Sequence, residues 1–454
     1  MSLLYMKNRS LVTDFYQLTM AASYFTHKHN PLATFEMFIR HLPENRGFLV
    51  FAGLEQALAY LKNLKFGTEE VDYLKSLPTF RHIPREFFKY MLEFRFTGEL
   101  WAMEEGEVFF ANEPVLQVRA PLIQAQVVET CLLAIINFQT SIATKAARIT
   151  AAARGRQVVD FGARRAHGPE ASVLAARAAV IGGCATTSNV YAAWQLGLPP
   201  SGTMAHSYIM SLPDEKTAFQ KYFENFPENA IFLLDTYDTI RAAHLVAGMK
   251  DEPKGVRLDS GDLLQLSKSV RRILDRAGKK NTRILASGDL NEYLIDELTG
   301  KKAPIDAFGV GTELVTSRDA PALGGIYKLV EIETEKGVKP CFKLSSGKAT
   351  YPSRKQIFRK SGENGFYAGD VIGAADEKLD GRPLLRKVME KGEIIIEFPP
   401  ILELQKKTQS GLQKLAPRIR SLTSPGHYPI KYSEKLRQLR QRLARELNRD
   451  QGLF

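Results

Sequence analysis

Short polar clusters, each at the end of an apolar run, recur through the middle of this 454-residue chain. They alternate with stretches of helical character, and this alternation is typical of a parallel β/α sheet or barrel. In such folds the loops that follow the strands build the active site. The clusters contain Arg, His, Asp, Ser and Gly, which suit a phosphate-bearing substrate. They lie at 157–168, 201–208, 231–239, 255–263, 284–290 and 307–314.

The regions on either side of this series have a different pattern. Residues 34–39 and 94–118 are rich in β-branched and aromatic residues, and short strands with turns return at 338–400. We therefore predict a β/α barrel flanked by an α+β domain that is assembled from both ends of the chain. The pattern alone does not separate a closed barrel from an open doubly wound sheet. The predicted parts are 1–125 (the first part of the α+β domain), 126–335 (the barrel with the active site), 336–404 (the return to the α+β domain) and 405–454 (a basic helical segment).

Composition excludes several classes of protein. A hydrophobic fraction of 44% and a charged fraction of 25% are ordinary for a soluble globular protein. The longest apolar stretches, such as 131–136, are too short to span a bilayer, and the amino terminus lacks the pattern of a secretory signal. The three cysteines are scattered without a CxxC pair, which argues against a thiolate zinc site or a disulfide framework. We expect a cytoplasmic protein.

The net charge of +12 is concentrated near the carboxyl end. Residues 405–449 hold 12 Lys and Arg against 2 Glu. The last helical stretch places four leucines on one face and cations on the others, which favours an amphipathic helix docked on its own protein with a solvated basic face. A role at an RNA or membrane surface is the alternative, although no RNA-binding motif with paired aromatics is present. The four leucines are Leu436, Leu439, Leu443 and Leu447.

The cluster at 157–168 contains Phe161, Arg164 and Arg165 after an apolar run. An arginine can bind a carboxylate or phosphate through two parallel hydrogen bonds. We favour this role over a structural ion pair for Arg164, whereas for Arg165 the two interpretations are balanced. An aromatic face beside such cations could hold a flat ring that carries a carboxylate, although core packing is the commoner role of a single Phe.

The next clusters supply a histidine and carboxylates. His206 is surrounded by small residues, and a neutral imidazole can act as a base or nucleophile near neutral pH, although a lone histidine is more often structural. Asp235 and Asp259 follow apolar runs. Carboxylates at successive strand ends can hold Mg²⁺ directly or through water, contact ribose hydroxyls, or orient a histidine. Asp262 has instead the pattern of a helix N-cap.

Two small-residue turns complete the series, at Ser287-Gly288 and at 309–312. Backbone N–H groups in such turns, followed by a helix N-terminus, bind phosphate. Neither turn matches a Walker loop or GxGxxG. Two of them in succession near the end of a β/α series are similar to the phosphate site of barrel enzymes.

Taken in order, these motifs resemble the nicotinate phosphoribosyltransferase family over nearly the whole chain. The resemblance implies an irregular β/α barrel with an additional sandwich-like α+β domain. It also implies a reaction of NAD salvage in which nicotinate displaces pyrophosphate from phosphoribosyl pyrophosphate to give nicotinate mononucleotide. Family members couple this transfer to ATP hydrolysis through a phosphohistidine, which falls on His206, and they use Mg²⁺. The matching segments are TDFYQLTM (13–20), FGARRAHG (161–168), GTMAHS (202–207), GIYKLV (325–330), 351–359 and 427–429.

The resemblance also assigns roles to residues. The family's ring site lies between Phe161 and a Tyr of the neighbouring subunit, here Tyr16, which implies a homodimer with shared active sites. Asp235 and Asp259 fall near the ribose, Mg²⁺ and the histidine. The other substrate positions are Arg164, Thr203 and Arg257, and the 5′-phosphate positions are Ser287, Gly288, Gly311 and Thr312.

Three rival functions are weighed against this one. Nicotinamide phosphoribosyltransferases use an Asp to accept the amide N–H, whereas the corresponding stretch 184–188 has no carboxylate. Its hydroxyls would tolerate nicotinate, unless Thr187 merely caps the following helix. Quinolinate phosphoribosyltransferases are shorter, and their dicarboxylate substrate demands more cations. A non-catalytic nucleic-acid-binding protein would use the basic tail and ignore the strand-end clusters.

Overall fold

The computed structural model describes residues 9–345 and 348–450. The chain divides into two compact units. The first contains the residues up to 140, 322–400 and those from 410 onward, and the second contains 141–321 and 401–409. These limits differ from 125 and 335, the positions expected from sequence. The physical reason at the later limit is that the strand Gly325–Thr334 pairs antiparallel with Leu32–Ile39, which places it in the first unit.

The second unit is built on a six-stranded parallel sheet. Because all six strands run the same way, their carboxyl ends lie at one edge, and the polar clusters follow them there. The two outer strands, Thr186–Thr187 and Ile231–Leu233, form no backbone pairing with each other within the described ranges. This irregular barrel is therefore not closed by hydrogen bonds between them. Across the sheet the strands are Thr186–Thr187, Gln157–Asp160, Ala307–Val310, Arg283–Ala286, Gly255–Leu258 and Ile231–Leu233.

Helices alternate with these strands, as the sequence pattern predicted. Asp262 caps its helix by accepting a hydrogen bond from the backbone N–H of Gln265, and Asp238 does the same from Arg241. The cap predicted at Asp262 is therefore confirmed. The helices are Pro169–Ile181, Val190–Gln195, His206–Met210, Glu215–Asn225, Thr239–Ala247, Leu263–Arg276, Glu292–Gly300 and Thr312–Val315, with a 3₁₀ turn at Ala163–Arg165.

The first unit contains a seven-stranded antiparallel sheet whose strands come from both ends of the chain. This agrees with the α+β part of the predicted fold, and the mixed α/β class is confirmed. In order the strands are Gly337–Pro340, Gly325–Thr334, Leu32–Ile39, Pro114–Pro121, Glu99–Ala102, Arg386–Glu390 and Glu393–Ile394. Two smaller sheets hold Arg382–Pro383, Lys355–Ser361, Tyr367–Ala374 and Ile430–Tyr432, and Leu49–Val50 with Val108–Phe109.

Two helices, Leu122–Val127 and Glu129–Ala152, follow one another and are separated at Val128. The second of these helices, and the helix that begins at Ile401, cross the division between the units. The helices outside the barrel are Phe15–Thr26, Leu54–Asn63, Thr68–Ser76, Arg85–Glu93, Leu122–Val127, Glu129–Ala152, Ile401–Gln413 and Glu434–Asp450, with a 3₁₀ turn at Pro78–Phe80.

The basic tail ends in the helix Glu434–Asp450, which docks through its first turns. Leu436 is fully buried, while Leu447 is 38% exposed. Several of its cations already have partners: Lys435 forms an ion pair with Asp376 at 2.6 Å, and Arg440 lies over the ring of Tyr351. The structure thus agrees with a docked amphipathic helix. No helix in the described part of the chain is long and apolar enough to cross a membrane.

A buried cluster of charges in the first unit surrounds Arg359. Its guanidinium contacts Asp370 at 2.6 Å and Glu107 at 2.8 Å, and Glu113 lies 3.8 Å away. One oxygen of Glu113 accepts from the N–H of Phe110, while the other receives no hydrogen bond from the described residues. Burial, and then the neighbouring Asp370 carboxylate, raise the pKa of Glu113 well above its ordinary value. We infer that Glu113 is protonated and donates to Asp370.

This inference predicts how stability depends on pH. Glu113 is neutral in the folded protein but ionises in the unfolded chain above about pH 4.3, so folding takes up a proton and stability falls as pH rises toward the raised pKa. Glu113→Gln should remove this pH-dependent loss of stability, because a glutamine cannot ionise. The Tm of the variant should exceed that of the wild type at about pH 8 but not at about pH 5. Glu107→Gln, a control in the same cluster, should lower Tm at both pH values. Parallel melting curves for Glu113→Gln and the wild type across this range would contradict the inference.

Candidate active site

A cavity of about 700 Å³ opens in the second unit where the strand-end clusters meet. Six of the predicted site residues line it, which are Phe161, Arg164, Thr203, His206, Arg257 and Asp259. The remaining lining residues are Ala163, Ser188, Val190, Pro200, Ser201, Gly202, Met204 and Ala205. A concave site of this size holds a small molecule with several polar groups.

His206 begins the helix His206–Met210 and faces a carboxylate. Its Nε2 lies 3.6 Å from Oδ1 of Asp235, whose side chain is only 5% exposed. The other Asp235 oxygen accepts from the hydroxyl of Ser260 at 2.6 Å. Oδ1 has no hydrogen-bond partner among the described residues, so it can accept a hydrogen bond from the imidazole or coordinate a bound cation. A carboxylate held in this way can orient a histidine and stabilise its cationic form.

Arg257 forms the cationic wall of the cavity. One Nη donates to the hydroxyl of Thr203 at 2.6 Å, and the other lies 3.7 Å from Asp259. Burial lowers the pKa of Arg257 below its ordinary value, and the positive charge of Arg164 lowers it further. The carboxylates of Asp259 and Asp235 act in the opposite direction and raise the pKa. Arg164 and Arg257 place two guanidinium groups on one cavity, and guanidinium groups bind carboxylates and phosphates.

Phe161 follows the strand Gln157–Asp160, and its N–H donates to the carbonyl of Val310 at 2.8 Å. Its ring packs directly on Gly309, where an added Cβ would lie 2.4 Å from Cδ2 of the ring. The glycine therefore lets the ring pack closely on the strand, while the half-buried Phe161 still lines the cavity. Arg164 is exposed and lines the cavity, whereas Arg165, also exposed, does not line it.

The two predicted phosphate turns do not line this cavity, but they contact residues that do. The hydroxyl of Ser287 donates to the carboxylate of Asp259. Gly288 has φ +91° and lies so close to Asp259 that an added Cβ would be 1.8 Å from its carbonyl oxygen. Gly311 approaches the carbonyl of Phe161, and Thr312 begins the helix Thr312–Val315. The turns are thus packed against the backbone of the cavity wall.

Residues 186–188 each carry a hydroxyl group, and the three hydroxyl groups have different roles. Thr187 is fully buried; its hydroxyl donates to Asp160 at 2.7 Å and accepts from the N–H of Asn189. The hydroxyl of Thr186 donates to the carbonyl of Pro199. Of the three, only Ser188 lines the cavity. The cap considered for Thr187 is wrong, because Asn189 caps the helix Val190–Gln195 by accepting from the N–H of Ala192. Thr187 instead holds Asp160, and any effect of this segment on the ring substrate rests on Ser188.

Tyr16 belongs to the first unit, on the helix Phe15–Thr26. Its side chain is 49% exposed. The pKa of the Tyr16 hydroxyl is raised, first by burial of part of the side chain and then by the nearby carboxylate of Glu129. Its assignment to a shared active site stays a prediction.

The structure also bears on the predicted Mg²⁺ site. No group of three or more His, Cys, Asp or Glu side chains within 9–345 and 348–450 is arranged to hold a metal ion. Asp235 and Asp259 therefore cannot form a complete protein cage. They fit the looser mode of Mg²⁺, in which one or two carboxylates and water share the ion with substrate phosphates. Asp259 lines the cavity, and Oδ1 of Asp235 has no hydrogen-bond partner among the described residues, so these are the carboxylates that could take this role.

Sequence reasoning missed two contributors. Ser260 orients Asp235, and Val190 lines the cavity with 69% of its side chain exposed. Ser260 lies in the strand-end cluster 255–263, next to Asp259, and this position was the available signal. Val190 has no comparable signal because it begins a short helix outside the clusters.

Three protein-family models match the chain. Residues 11–137 match the nicotinate phosphoribosyltransferase (NAPRTase) N-terminal domain, and 378–440 match the NAPRTase C-terminal domain. Residues 142–320, which hold the cavity, match the quinolinate phosphoribosyl transferase C-terminal domain. The barrel domain is therefore shared with quinolinate enzymes, while the flanking domains have the nicotinate type.

Similar full-length proteins carry the nicotinate name. Nicotinate phosphoribosyltransferase pncB2 of Mycobacterium tuberculosis is 43% identical over 435 residues, covering 94% of this chain and 92% of that protein. The enzyme of Bacillus subtilis is 39% identical, with coverages of 94% and 93%. The crystal structure of human nicotinic acid phosphoribosyltransferase superposes with a TM-score of 0.84 at 27% identity, covering 94% of this chain and 99% of that one.

Proposed function

This chain belongs to the nicotinate phosphoribosyltransferase family, and from that premise we propose how its cavity carries out the reaction. The activity is formation of nicotinate mononucleotide and pyrophosphate from nicotinate and phosphoribosyl pyrophosphate, in NAD salvage. The observation that carries the proposal is the convergence of a ring, two arginines and a histidine on one cavity, with the carboxylate of Asp235 buried behind the histidine.

Nicotinate is a flat ring with one carboxylate. We place the ring against the exposed face of Phe161 and the carboxylate toward Arg164 and Arg257. The attacking atom is the pyridine nitrogen, which has a free lone pair and needs no general base. Catalysis therefore depends on holding this nitrogen in line with carbon 1 of the ribose and on stabilising the oxocarbenium-like charge that develops there.

The phosphoribosyl end has separate contacts. We assign the 5′-phosphate to the backbone N–H groups of the turns at Ser287-Gly288 and Gly311-Thr312. Asp235 and Asp259 would hold Mg²⁺, directly or through water, together with the pyrophosphate. The ion would neutralise the charge of the departing pyrophosphate.

His206 is the proposed site of ATP coupling. Its Nε2 faces Asp235, which leaves Nδ1 as the nitrogen that can attack the γ-phosphate. The step forms an N–P bond, breaks the bond to the β-phosphate oxygen and releases ADP. A phosphohistidine adds negative charge beside the Mg²⁺–pyrophosphate position, so it changes the relative affinities for substrates and products.

Two further assignments complete the proposal. Tyr16 of a second copy would cover the face of the ring opposite Phe161, which makes a homodimer the active unit. The exposure of Tyr16 supports this, because a half-exposed aromatic side chain is suited to an interface. The protein would act in the cytoplasm, without nucleic-acid or membrane partners.

Ser188 is expected to admit nicotinate rather than nicotinamide. Ser188→Asp places a carboxylate in the cavity, where it repels the nicotinate carboxylate and accepts an amide N–H. We expect kcat/KM for nicotinate to fall by about 100-fold, with relative use of nicotinamide increased. Ser188→Asn is the control, since it has a similar size without the charge. Equal losses in both variants would show that bulk, not charge, is responsible.

The function is tested by offering nicotinate, nicotinamide or quinolinate separately, with phosphoribosyl pyrophosphate and Mg²⁺, with and without ATP. Each mononucleotide is quantified by chromatography. We expect product from nicotinate only, increased by ATP. Product from nicotinamide would overturn the specificity assigned to Ser188, and no product from any base would overturn the proposal.

A further inference from the structure

A buried lysine in the second unit contacts three carboxylates that lie far from it in sequence. Lys145 is on the helix Glu129–Ala152, and its side chain is 1% exposed. Its Nζ lies 2.6 Å from Glu292, 2.9 Å from Asp319 and 3.6 Å from Glu313. A buried ammonium group is tolerated only with such partners, and the loss of one partner leaves charge uncompensated. Lys145 therefore holds two separate pieces of chain, one with Glu292 and one with Glu313 and Asp319, around one atom.

Two of these carboxylates lie just beyond the proposed phosphate turns. Glu292 begins the helix that follows the Ser287-Gly288 turn, and Glu313 directly follows Thr312. The turns present backbone groups, and a glycine has no side chain of its own that could brace its position. Pairing between the strands Arg283–Ala286 and Ala307–Val310 fixes where the two turns begin, and whatever holds the segments that follow fixes where they end.

Arg148 reinforces the same anchor from the next turn of the helix. Its Nε donates to the second oxygen of Glu292 at 3.0 Å, and one Nη donates to the hydroxyl of Tyr293 at 3.2 Å. Glu292 is fully buried, and each of its two oxygens is paired with a cation of the helix Glu129–Ala152, one with Lys145 and one with Arg148. The start of the helix that begins at Glu292 is thereby fixed against Glu129–Ala152.

We propose that Lys145 is a positioning residue that sets the distance between the two phosphate turns and so controls the affinity for phosphoribosyl pyrophosphate. The inference rests on the function proposed above. Without the ammonium group, Glu292 and Glu313 lose their common cation, the turns can separate, and negative potential grows beside the 5′-phosphate. The nicotinate contacts at Phe161 and Arg257 do not include Lys145, so the effect is confined to one substrate.

The test measures KM for each substrate together with Tm. In Lys145→Met we expect KM for phosphoribosyl pyrophosphate to rise about tenfold or more, with KM for nicotinate unchanged. Glu313→Gln keeps the shape of a side chain that is 12% exposed and should give a smaller rise of the same kind. Arg154→Met is the matched control. It removes an exposed ion pair of 2.8 Å to Asp296 in the helix that begins at Glu292, and both KM values should stay unchanged.

If Lys145→Met does not fold, the KM values of Glu313→Gln become the test of the inference. Unchanged KM values in a folded variant, or equal rises for both substrates, would overturn the inference and leave Lys145 with a structural role only. Failure of the proposed function is distinguishable, because then the wild type itself would form no nicotinate mononucleotide. Calorimetric titration with ribose 5-phosphate would in that case test the anchor directly, with weaker binding expected in the variants and equal binding contradicting it.

Discussion

His206→Ala is expected to abolish the stimulation of transfer by ATP while slow transfer persists. The imidazole is the proposed phosphate acceptor, so its removal should lower ATP hydrolysis by about 100-fold or more. The pyridine nitrogen needs no base, so nicotinate mononucleotide should still form at about the ATP-free rate of the wild type. Both quantities are measured in one assay that follows ADP and the mononucleotide.

The control for this variant is His244→Ala, which removes an exposed histidine on the helix Thr239–Ala247 of the same unit. It should keep normal ATP stimulation. Complete loss of transfer by folded His206→Ala at saturating substrates would contradict the assignment, because it would mean that the imidazole acts in the transfer step itself.

Gly288→Ala should lower kcat/KM for phosphoribosyl pyrophosphate by about 100-fold, since a shift of about 1 Å in a substrate contact has effects of that size. An added Cβ would lie 1.8 Å from the carbonyl oxygen of Asp259. The contact is with backbone, so the turn and Asp259 must move apart. This displaces a predicted phosphate-binding N–H and a predicted Mg²⁺ ligand together.

Gly278→Ala separates this clash from the cost of the backbone conformation. Gly278 has φ +80°, close to the +91° of Gly288, but no atom lies within 4 Å of an added Cβ. Its substitution should lower stability by about 1 kcal/mol and leave kcat/KM unchanged. Equal catalytic losses in both variants would show that the left-handed conformation, rather than the approach to Asp259, is the cause.

The strand-end clusters were predictable because they obey local rules. An apolar run followed by Asp, Ser or Gly marks the carboxyl end of a parallel strand, and parallel strands bring those ends to one edge. Phe161, His206, Arg257 and Asp259 accordingly meet at one cavity. The capping role of Asp262 followed in the same way from its position before a helix.

Features that depend on distant parts of the chain were not predictable. Lys145 sits in a long helical pattern, and its partners at Glu292, Glu313 and Asp319 are more than a hundred residues away. The sequence likewise left open whether the sheet closes, since that depends on pairing between the strands at 186–187 and 231–233. The burial of Thr187 beneath Asp160 also required the fold.

The most direct test of the account is a crystal structure of the protein with nicotinate mononucleotide bound. We expect the ring against Phe161, its carboxylate at Arg164 or Arg257, and the phosphate within hydrogen-bonding distance of backbone N–H groups at Gly288 and Gly311. We also expect Tyr16 of a second copy on the outer face of the ring. A phosphate bound at Arg164 and Arg257, with both turns unused and the ring away from Phe161, would contradict the account.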